Sequence, residues 1–531
     1  MKSVSPRELA RDAGRRIHRF HGGLRLRHNK KISCQMAVER PPLPDLMVVP
    51  LFQHAGDVAS PLVGAGDAVL KGQPIGQCDP CAAVHSPVSG VVEGIEDRPM
   101  THPSGQAGPC VIIRPDGRER WTELKPIDDW RTAGADELIA KLQECGLAGL
   151  GGAVFPTHAK ARDGRERNIY TLILNGVECE PYISCDEMLM REQPDKIIRG
   201  ARILRRALGA QRVVIAIEDQ MGAVQKALTD AASCTDCENI SVVKVPMIYP
   251  EGSERQLIQV LTGLEVPAGG RPSDLGMVCQ NVATAAAVAD AVVEGKPLID
   301  RYITITGNGI SQPRNFQALL GTSISHLVEA CGGYTDDVER LVVGGPMMGY
   351  PVTTDETPVV KRSNCVLALT RKDIAEPQPE MPCIRCGECA RVCPSMLLPQ
   401  QLQLQIRNGL WEPAAEHGLS ECIECGCCDF VCPSHIPLVE WFRYGKSEQL
   451  RLAQESEASE RARRRFEQRE ARLLRVKQER AEKMARRKKM LKDKSAQQER
   501  IRASIDRAKN RTGINRPDTG GDEIRGETDD A

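Results

Sequence analysis

The 531-residue chain contains no run of about 18 uninterrupted apolar residues, the length a membrane-crossing helix needs. No membrane span is therefore expected. A secretory leader is lacking as well: the opening MKSVSPRELARDAGRRIHRFHGG is basic, and no apolar stretch follows it. Arg15 and Arg16 resemble a twin-arginine signal, but again without the hydrophobic region behind them. Net charge is absent overall, with 71 Lys and Arg against 71 Asp and Glu, and no nucleic-acid partner is expected. The length allows several domains.

Cysteine, by contrast, is abundant. CIRCGECARVCP (383–394) and CIECGCCDFVCP (422–433) each carry the spacing C-x2-C-x2-C-x3-C-P. Three close thiolates can wrap one [4Fe–4S] cube, and the fourth, before proline, points to a neighbouring cube. One cluster is therefore assigned to Cys383, Cys386, Cys389 and Cys432, and the other to Cys422, Cys425, Cys428 and Cys393. Zinc and disulfides are the competing readings. Structural zinc uses two separated C-x2-C pairs rather than a run of four. Cys427 reads as a spare thiol packed beside the cluster. Thirteen of the 21 cysteines lie outside the eight assigned ligands, and free cysteine commonly serves as a small buried hydrophobe. Cys78/Cys81 and Cys234/Cys237 are isolated C-x2-C pairs, a possible zinc or redox site only with partners that the sequence does not place nearby. So many thiols beside oxygen-sensitive clusters point to a reducing cytoplasm.

The fold class expected is multidomain α/β plus β. Residues 1–45 read as a basic N-terminal arm. Residues 46–118 alternate short β runs with Gly turns, the texture of a lipoyl-like barrel-sandwich domain; its hairpin tip, SPVSG at 86–90, has no lysine for a prosthetic group. Residues 135–295 alternate apolar strands (NIYTLILNG, RVVIAIED) with helical stretches, implying a largely parallel sheet. Residues 297–350 read as a β-grasp-like (SLBB) domain. Residues 375–443 form a helix-rich dicluster ferredoxin-type domain, with 402–418 helical between the motifs. Residues 446–531 hold 25 basic and 17 acidic side chains; they read as a solvated charged helix with a disordered end after RTGINRPDTGG, too sparse in apolar residues for a coiled-coil seam.

GLAGLGGAVFPTHAK (146–160) sets Gly146, Gly149, Gly151 and Gly152 ahead of Lys160. Such glycines allow close backbone approach to a ligand, and amides at a helix start can hold phosphate; a tight turn is the plainer reading. NGVECEP places Asn175, Glu178 and Glu180 at the end of a strand, where ligands of open α/β sheets sit. CQNVAT places Asn281 and Thr284 before a helix, with polar groups suited to a flavin.

In this order the three stretches resemble the flavin- and NADH-binding subunit of respiratory complex I. The resemblance implies that Gly146, Gly149, Gly151, Gly152 and Lys160 cradle FMN phosphate. It also implies that Asn175 touches the flavin, that Glu180 faces the nicotinamide as the catalytic-side residue, and that Asn281 and Thr284 hold the flavin's far end. Leu150, Val177 and Ala283 depart from that family's arginine, aspartate and glutamate. The whole order of domains, with RFHGG (19–23) and VGGPMMG (343–349), resembles the C-subunit family of Rnf/Rsx electron-transport complexes. That likeness implies two [4Fe–4S] clusters, FMN, and NADH as substrate. Its implied partners are membrane subunits and a ferredoxin-like subunit of the same complex, and its implied location is peripheral, on the cytoplasmic side of the bacterial inner membrane. The excess of Lys and Arg in the tail is a second expectation, attraction to an anionic membrane surface, beside the plainer reading of a solvated helix without a binding role. The alternative is an iron–sulfur scaffold that binds no nucleotide.

Overall fold

The computed structural model describes residues 6–78, 82–233, 237–376 and 378–511. Cys81, Cys234, the outermost N-terminus and the chain end after Arg511 lie outside them. Residues up to Ser447 form one compact unit and those from Glu448 another.

The expected N-terminal arm is built into the first unit rather than leading up to it. Ala10, within a short helix Pro6–Arg11, and Ala13, just beyond it, are fully buried. Thr171 Oγ1 donates to the carbonyl of Ala10 at 2.7 Å. Ile17, Phe20 and Leu24 pack on the same apolar cluster as strand residues Val214 and Val245. Scattered apolar residues among arginines read as a solvated segment; spaced along an irregular backbone, they face one way.

Strands β1 (Met47–Pro50), β2 (Ser60–Pro61), β3 (Ala68–Val69), β4 (Pro74–Gln77), β5 (Val84–His85), β6 (Gly90–Pro99) and β7 (Ala107–Pro115) make two small sheets, ordered β1-β7-β6-β3 and β2-β4-β5. Their inward residues, among them Met47, Val49, Ile75, Val92 and Ile113, form one core. The 86–90 turn between β5 and β6 is buried, not a protruding tip. A Cβ on Gly90 would sit 2.1 Å from the Arg114 carbonyl oxygen, so only glycine fits there.

Next come β8 (Thr171–Gly176), β9 (Arg212–Glu218), β10 (Ile240–Val245) and β11 (Met277–Asn281). They pair in parallel in the order β10-β9-β8-β11. The chain builds outward from β8 through β9 and β10, then returns to β8's other side. Helices Ala135–Glu144, Pro194–Leu208 and Val282–Ala289 cover one face, burying Leu138, Leu142, Ile197, Leu204 and Val288 with Leu172 and Ile215. Each such side chain contributes about 1.5–3 kcal/mol by leaving water.

A five-stranded mixed sheet follows: β12 (Asp300–Thr306), β13 (Arg314–Leu319), β14 (Val338–Val343), β15 (Tyr350–Val352) and β16 (Cys365–Thr370), ordered β13-β12-β16-β14-β15. Its central strand, β16, lies beyond residue 350, so the sheet is incomplete within 297–350. The cysteine segment carries helices Pro399–Arg407 and Trp411–Glu416, broken at Gly409 with φ 67°, where one helix over 402–418 was expected. A 74-residue helix, Leu438–Arg511, ends the described chain, and its residues from 451 onward are exposed throughout. No helix among the described residues is long and apolar enough to cross a membrane. Cys237 is disulfide-bonded, so the scattered cysteines are not all free thiols.

Candidate functional site

At the carboxyl edge of the parallel sheet, Asn175 of β8 and Asn281 of β11 are register partners. This is the point where the strand order reverses, the crevice in which open α/β sheets bind ligands. The glycine loop lies on it: a Cβ on Gly151 would approach Asn281 Cβ to 3.2 Å. The loop's own hydrogen bonds are few. Gly149 donates its amide to the Phe155 carbonyl at 2.9 Å, and Leu150 donates to Thr284 Oγ1 at 2.9 Å. Gly151, Gly152 and Ala153 donate to no protein acceptor at hydrogen-bond geometry among the described residues. Gly152 has φ 100° and open space where its Cβ would be. Three successive unbonded amides, exposed or half-exposed, suit a phosphate.

The expected partners are placed as follows. Asn281 caps helix Val282–Ala289, its Oδ1 accepting from Ala283 N at 2.8 Å, and its Nδ2 donates to Asp186. Thr284 is fully buried and fixes the loop through Leu150. Asn175 accepts from Val177 N at 3.0 Å and donates to the Gly252 carbonyl at 2.8 Å, closing the edge loops. Gly146 stands at the loop's start, where a Cβ would strike the Ala83 carbonyl oxygen at 2.3 Å. Lys160 pairs with Glu254 at 2.8 Å. Glu178 accepts from the amides of Asp186 and Glu187 at 3.0 and 3.3 Å, anchoring the start of helix Cys185–Glu192. Burial pushes its carboxyl up to about 8, against the pull of Lys30. Lys30, only 4% exposed, also reaches Glu218 at 3.2 Å. Glu180 accepts from Met347 N and Met348 N at 2.7 and 3.0 Å, and burial raises its carboxyl too. VGGPMMG therefore closes over Glu180, and a Cβ on Gly345 would sit 2.0 Å from Glu180 Cγ.

The two cysteine motifs repeat each other's backbone. Arg385 and Glu424 have φ 58° and 56°, Gly387 and Gly426 have φ 80° and 76°, and Met396 and His435 have φ 52° and 51°, at matching places in each motif. Each left-handed residue turns the chain so that successive thiols face one point. Cys393, Cys422, Cys425 and Cys428 lie close enough to act on one another's charge. Burial pushes the Cys422 thiol up to about 11 and raises Cys428 further. Four such thiolates need cations among them, which a cluster's iron ions supply. Leu397 N donates to Cys393 Sγ and Glu424 N to Cys422 Sγ, both at 3.4 Å, the amide-to-sulfur bonds that tune such clusters. Cys383, Cys386 and Cys389 form the other group, and Cys389 and Cys432 border the same apolar cluster. Cys427 is fully buried in the core beneath the parallel sheet.

Sequence reasoning missed what ties the motifs to the sheet edge. Tyr249 Oη donates to the Cys425 carbonyl at 2.6 Å and lies near enough to Glu180 to offset part of the rise that burial causes in its carboxyl. Arg255 pairs with Glu421, and Gln256 Nε2 donates to the Pro394 carbonyl at 3.3 Å. The His21 ring contacts the Cys393 carbonyl at 3.0 Å. RFHGG, which contains His21, carries a local signal for one of these contacts.

Residues 18–118 match the RnfC barrel-sandwich hybrid domain family, 142–290 the Nuo51 FMN-binding domain, 302–351 the SLBB domain and 381–436 the 4Fe–4S dicluster domain. Proteins named as the C subunit of the ion-translocating oxidoreductase complex are similar over 88% of this chain: 45% identical in Pseudomonas aeruginosa and 43% in Erwinia tasmaniensis. The chain spans 60% and 58% of those two relatives. In Haemophilus influenzae strain PittEE the identity is 42%, over 88% of this chain and 72% of the relative. Among solved structures, an NAD+-reducing [NiFe]-hydrogenase in the H2-reduced state aligns at TM-score 0.40 and 20% identity, over 57% of this chain and 61% of that one. With four domain matches in order and this degree of identity, the chain belongs to the C-subunit family of ion-translocating oxidoreductase complexes.

Proposed function

We propose that this chain is the electron-entry subunit of a membrane-bound ion-translocating oxidoreductase complex. It passes electrons between NADH and partner subunits by way of FMN and two [4Fe–4S] clusters. The carrying observation is that the open amides of the glycine loop and the backbone of Cys425 both meet the carboxyl edge of one parallel sheet. When bound, FMN takes two electrons from NADH as hydride and gives them up singly, which suits cubes that each carry one.

The chain's own residues position these groups. Gly151, Gly152 and Ala153 offer amides to the phosphate, and the Asn281-capped helix start adds its positive end. Asn175 holds the 250–252 turn beside the ring site, and Glu180 lies on the nicotinamide side. Cys393, Cys422, Cys425 and Cys428 hold the inner cluster; Cys383, Cys386, Cys389 and Cys432 hold the outer one. Cys383 and Cys386 are exposed, which suits exit to a ferredoxin-like or membrane partner. The helix Ile324–Ala330 packed on a mixed sheet supports a β-grasp-like reading of the SLBB domain. Membership of the family supports a peripheral place on the cytoplasmic side of the inner membrane.

Anaerobically purified protein tests this by its visible spectrum with and without NADH. A flavin band that bleaches with NADH is expected, with about eight irons by ligand count. Gly151→Val is expected to abolish flavin retention, because its side chain presses on Asn281 and blocks the loop. The scaffold reading draws on Lys160 and Glu180 being engaged by Glu254 and by the Met347 and Met348 amides. Wild-type protein that neither holds flavin nor takes it up decides for that reading.

A further inference from the structure

The glycine loop is held from behind by three cations that lie far away in sequence. Lys361, between β15 and β16 and 1% exposed, donates through Nζ to the Gly146 carbonyl at 2.8 Å and to the Ala83 carbonyl at 3.2 Å. Arg362 donates through Nε to the Gly152 carbonyl at 3.1 Å. Arg301 of β12, 2% exposed, approaches the Leu150 carbonyl at 3.5 Å and also donates to the Lys361 carbonyl. Three loop carbonyls thus face cations while the amides of Gly151, Gly152 and Ala153 stay unbonded.

Lys361 has no carboxylate partner among the described residues; its ammonium is met only by carbonyl oxygens. Burial pulls it down to about 7; neighbouring His54 and His85 are held toward the neutral form by their own burial and then by the charge of Lys361. A buried ammonium without a counter-ion costs stability, and an anion at the loop would supply one. Lys160, the cation that resemblance assigns to the phosphate, pairs with Glu254 instead.

We propose that Lys361 and Arg362 are positioning residues for the flavin phosphate, holding the loop by its carbonyl groups so that its amides stay turned to the anion. This rests on the flavin reading above. Lys361 adds positive charge behind the loop without touching the ligand, and Arg362 fixes the loop's outer end at Gly152. The exposed side chain of Arg362 has room to turn, so its contribution is the smaller.

The test compares FMN with riboflavin, which has the same ring and no phosphate. Full-length protein with its clusters is freed of flavin, and each flavin is titrated back by fluorescence quenching. Lys361→Met is expected to weaken FMN by about tenfold or more, the size of one lost charged partner, and to leave riboflavin within about twofold. Arg362→Gln is expected to weaken FMN by about threefold, with riboflavin unchanged. Equal loss of both flavins in Lys361→Met shows a purely structural staple and overturns the proposal, as does unchanged FMN affinity. If Lys361→Met fails to keep its clusters or melting temperature, the Arg362→Gln ratio decides, and an unchanged ratio overturns it. Wild-type protein that binds neither flavin defeats the flavin reading itself, a separate outcome.

Discussion

The two cysteine motifs share spacing, left-handed turns and a short helix, yet their surroundings differ. Cys383 and Cys386 of the first are exposed, with Met381 at 50% and Ile384 at 65% beside them. Cys425, Cys427 and Cys428 of the second are buried. The repeat itself does not make this difference; the neighbours do. Tyr249, Arg255 and Met347 press on the second motif from the sheet edge and from VGGPMMG. Against the first motif's leading cysteines, the described bonds are those of its own segment, such as Met381 N to the Ser434 carbonyl at 2.9 Å. Equal ligand spacings can thus have unequal surroundings, one sunk against the edge of the parallel sheet and one facing outward.

Replacing ligands in each half probes that asymmetry most strongly. Cys428→Ser is expected to lose one cluster and to lower the melting temperature by several degrees, about 2–4 °C for each kcal/mol in a unit of this kind. Cys383→Ser is expected to lose the other cluster with the melting temperature nearly unchanged. Cys427→Ser is expected to keep both, at the cost of a polar group in a dry core. Iron content and thermal melts check all three; equal destabilisation by Cys428→Ser and Cys383→Ser breaks the comparison.

Loosening the clamp sharpens it. Gly345→Ala puts a methyl group 2.0 Å from Glu180 Cγ, and overpacking of this kind costs about 1–3 kcal/mol. Met347, whose carbonyl oxygen lies 2.9 Å from where a Cβ on Gly426 would be, should move with it. The inner cluster's spectrum is expected to change and the outer cluster's to stay, as read by electron paramagnetic resonance of the reduced protein.

The dryness of the inner side also has a pH signature. Glu251, 1% exposed beside the Tyr249 turn, is pushed by burial from 4.5 up to about 8. The folded protein therefore holds this proton where the unfolded chain has released it, so the contribution is full below pH 4.5 and is lost as pH rises through about 8. Glu251→Gln is expected to flatten the decline in melting temperature across that window. An identical pH profile in the variant shows that Glu251 is solvated.

How much of this was legible follows from the range of each interaction. The parallel sheet could be read because apolar runs such as TLILNG and RVVIAI signal strands locally, and the cysteine ligands because their turns span twelve residues. The meeting of Asn175 and Asn281 depends on β11 returning to the side of β8, which no local run signals. Lys160 is assigned to the phosphate by resemblance; its pairing with Glu254, 94 residues on, has no local signal. Lys361 reaches Gly146 across 215 residues and Lys30 reaches Glu178 across 148, so neither announces itself in a window. The same holds for β16, which enters the middle of its sheet after β14 and β15 have formed one side.

The smallest expected effect concerns the tail. The charged segment reads as beginning at Lys446, yet Lys446 donates to the Cys422 carbonyl and pairs with Glu424 at 2.8 Å. Gly445 packs against Ile406 and Leu419, where a Cβ would come within 2.8 and 3.0 Å of their side chains. A cut at Arg443 would therefore disturb the inner motif, whereas one after Ser447 follows the boundary between the two units. The 1–447 chain is expected to keep both clusters, the flavin and its melting temperature. Basic side chains near an anionic surface contribute at most about 1 kcal/mol each, and the interspersed glutamates, several paired at one-turn spacing such as Arg451 with Glu455, cancel much of that. In cells with the partner subunits, release from membranes is then expected to depend slightly more steeply on salt for the full-length chain than for the 1–447 chain, since screening shortens the tail's attraction. Fractionation at low and high salt reads this directly, and identical salt curves for the two chains show that the tail contributes nothing to docking.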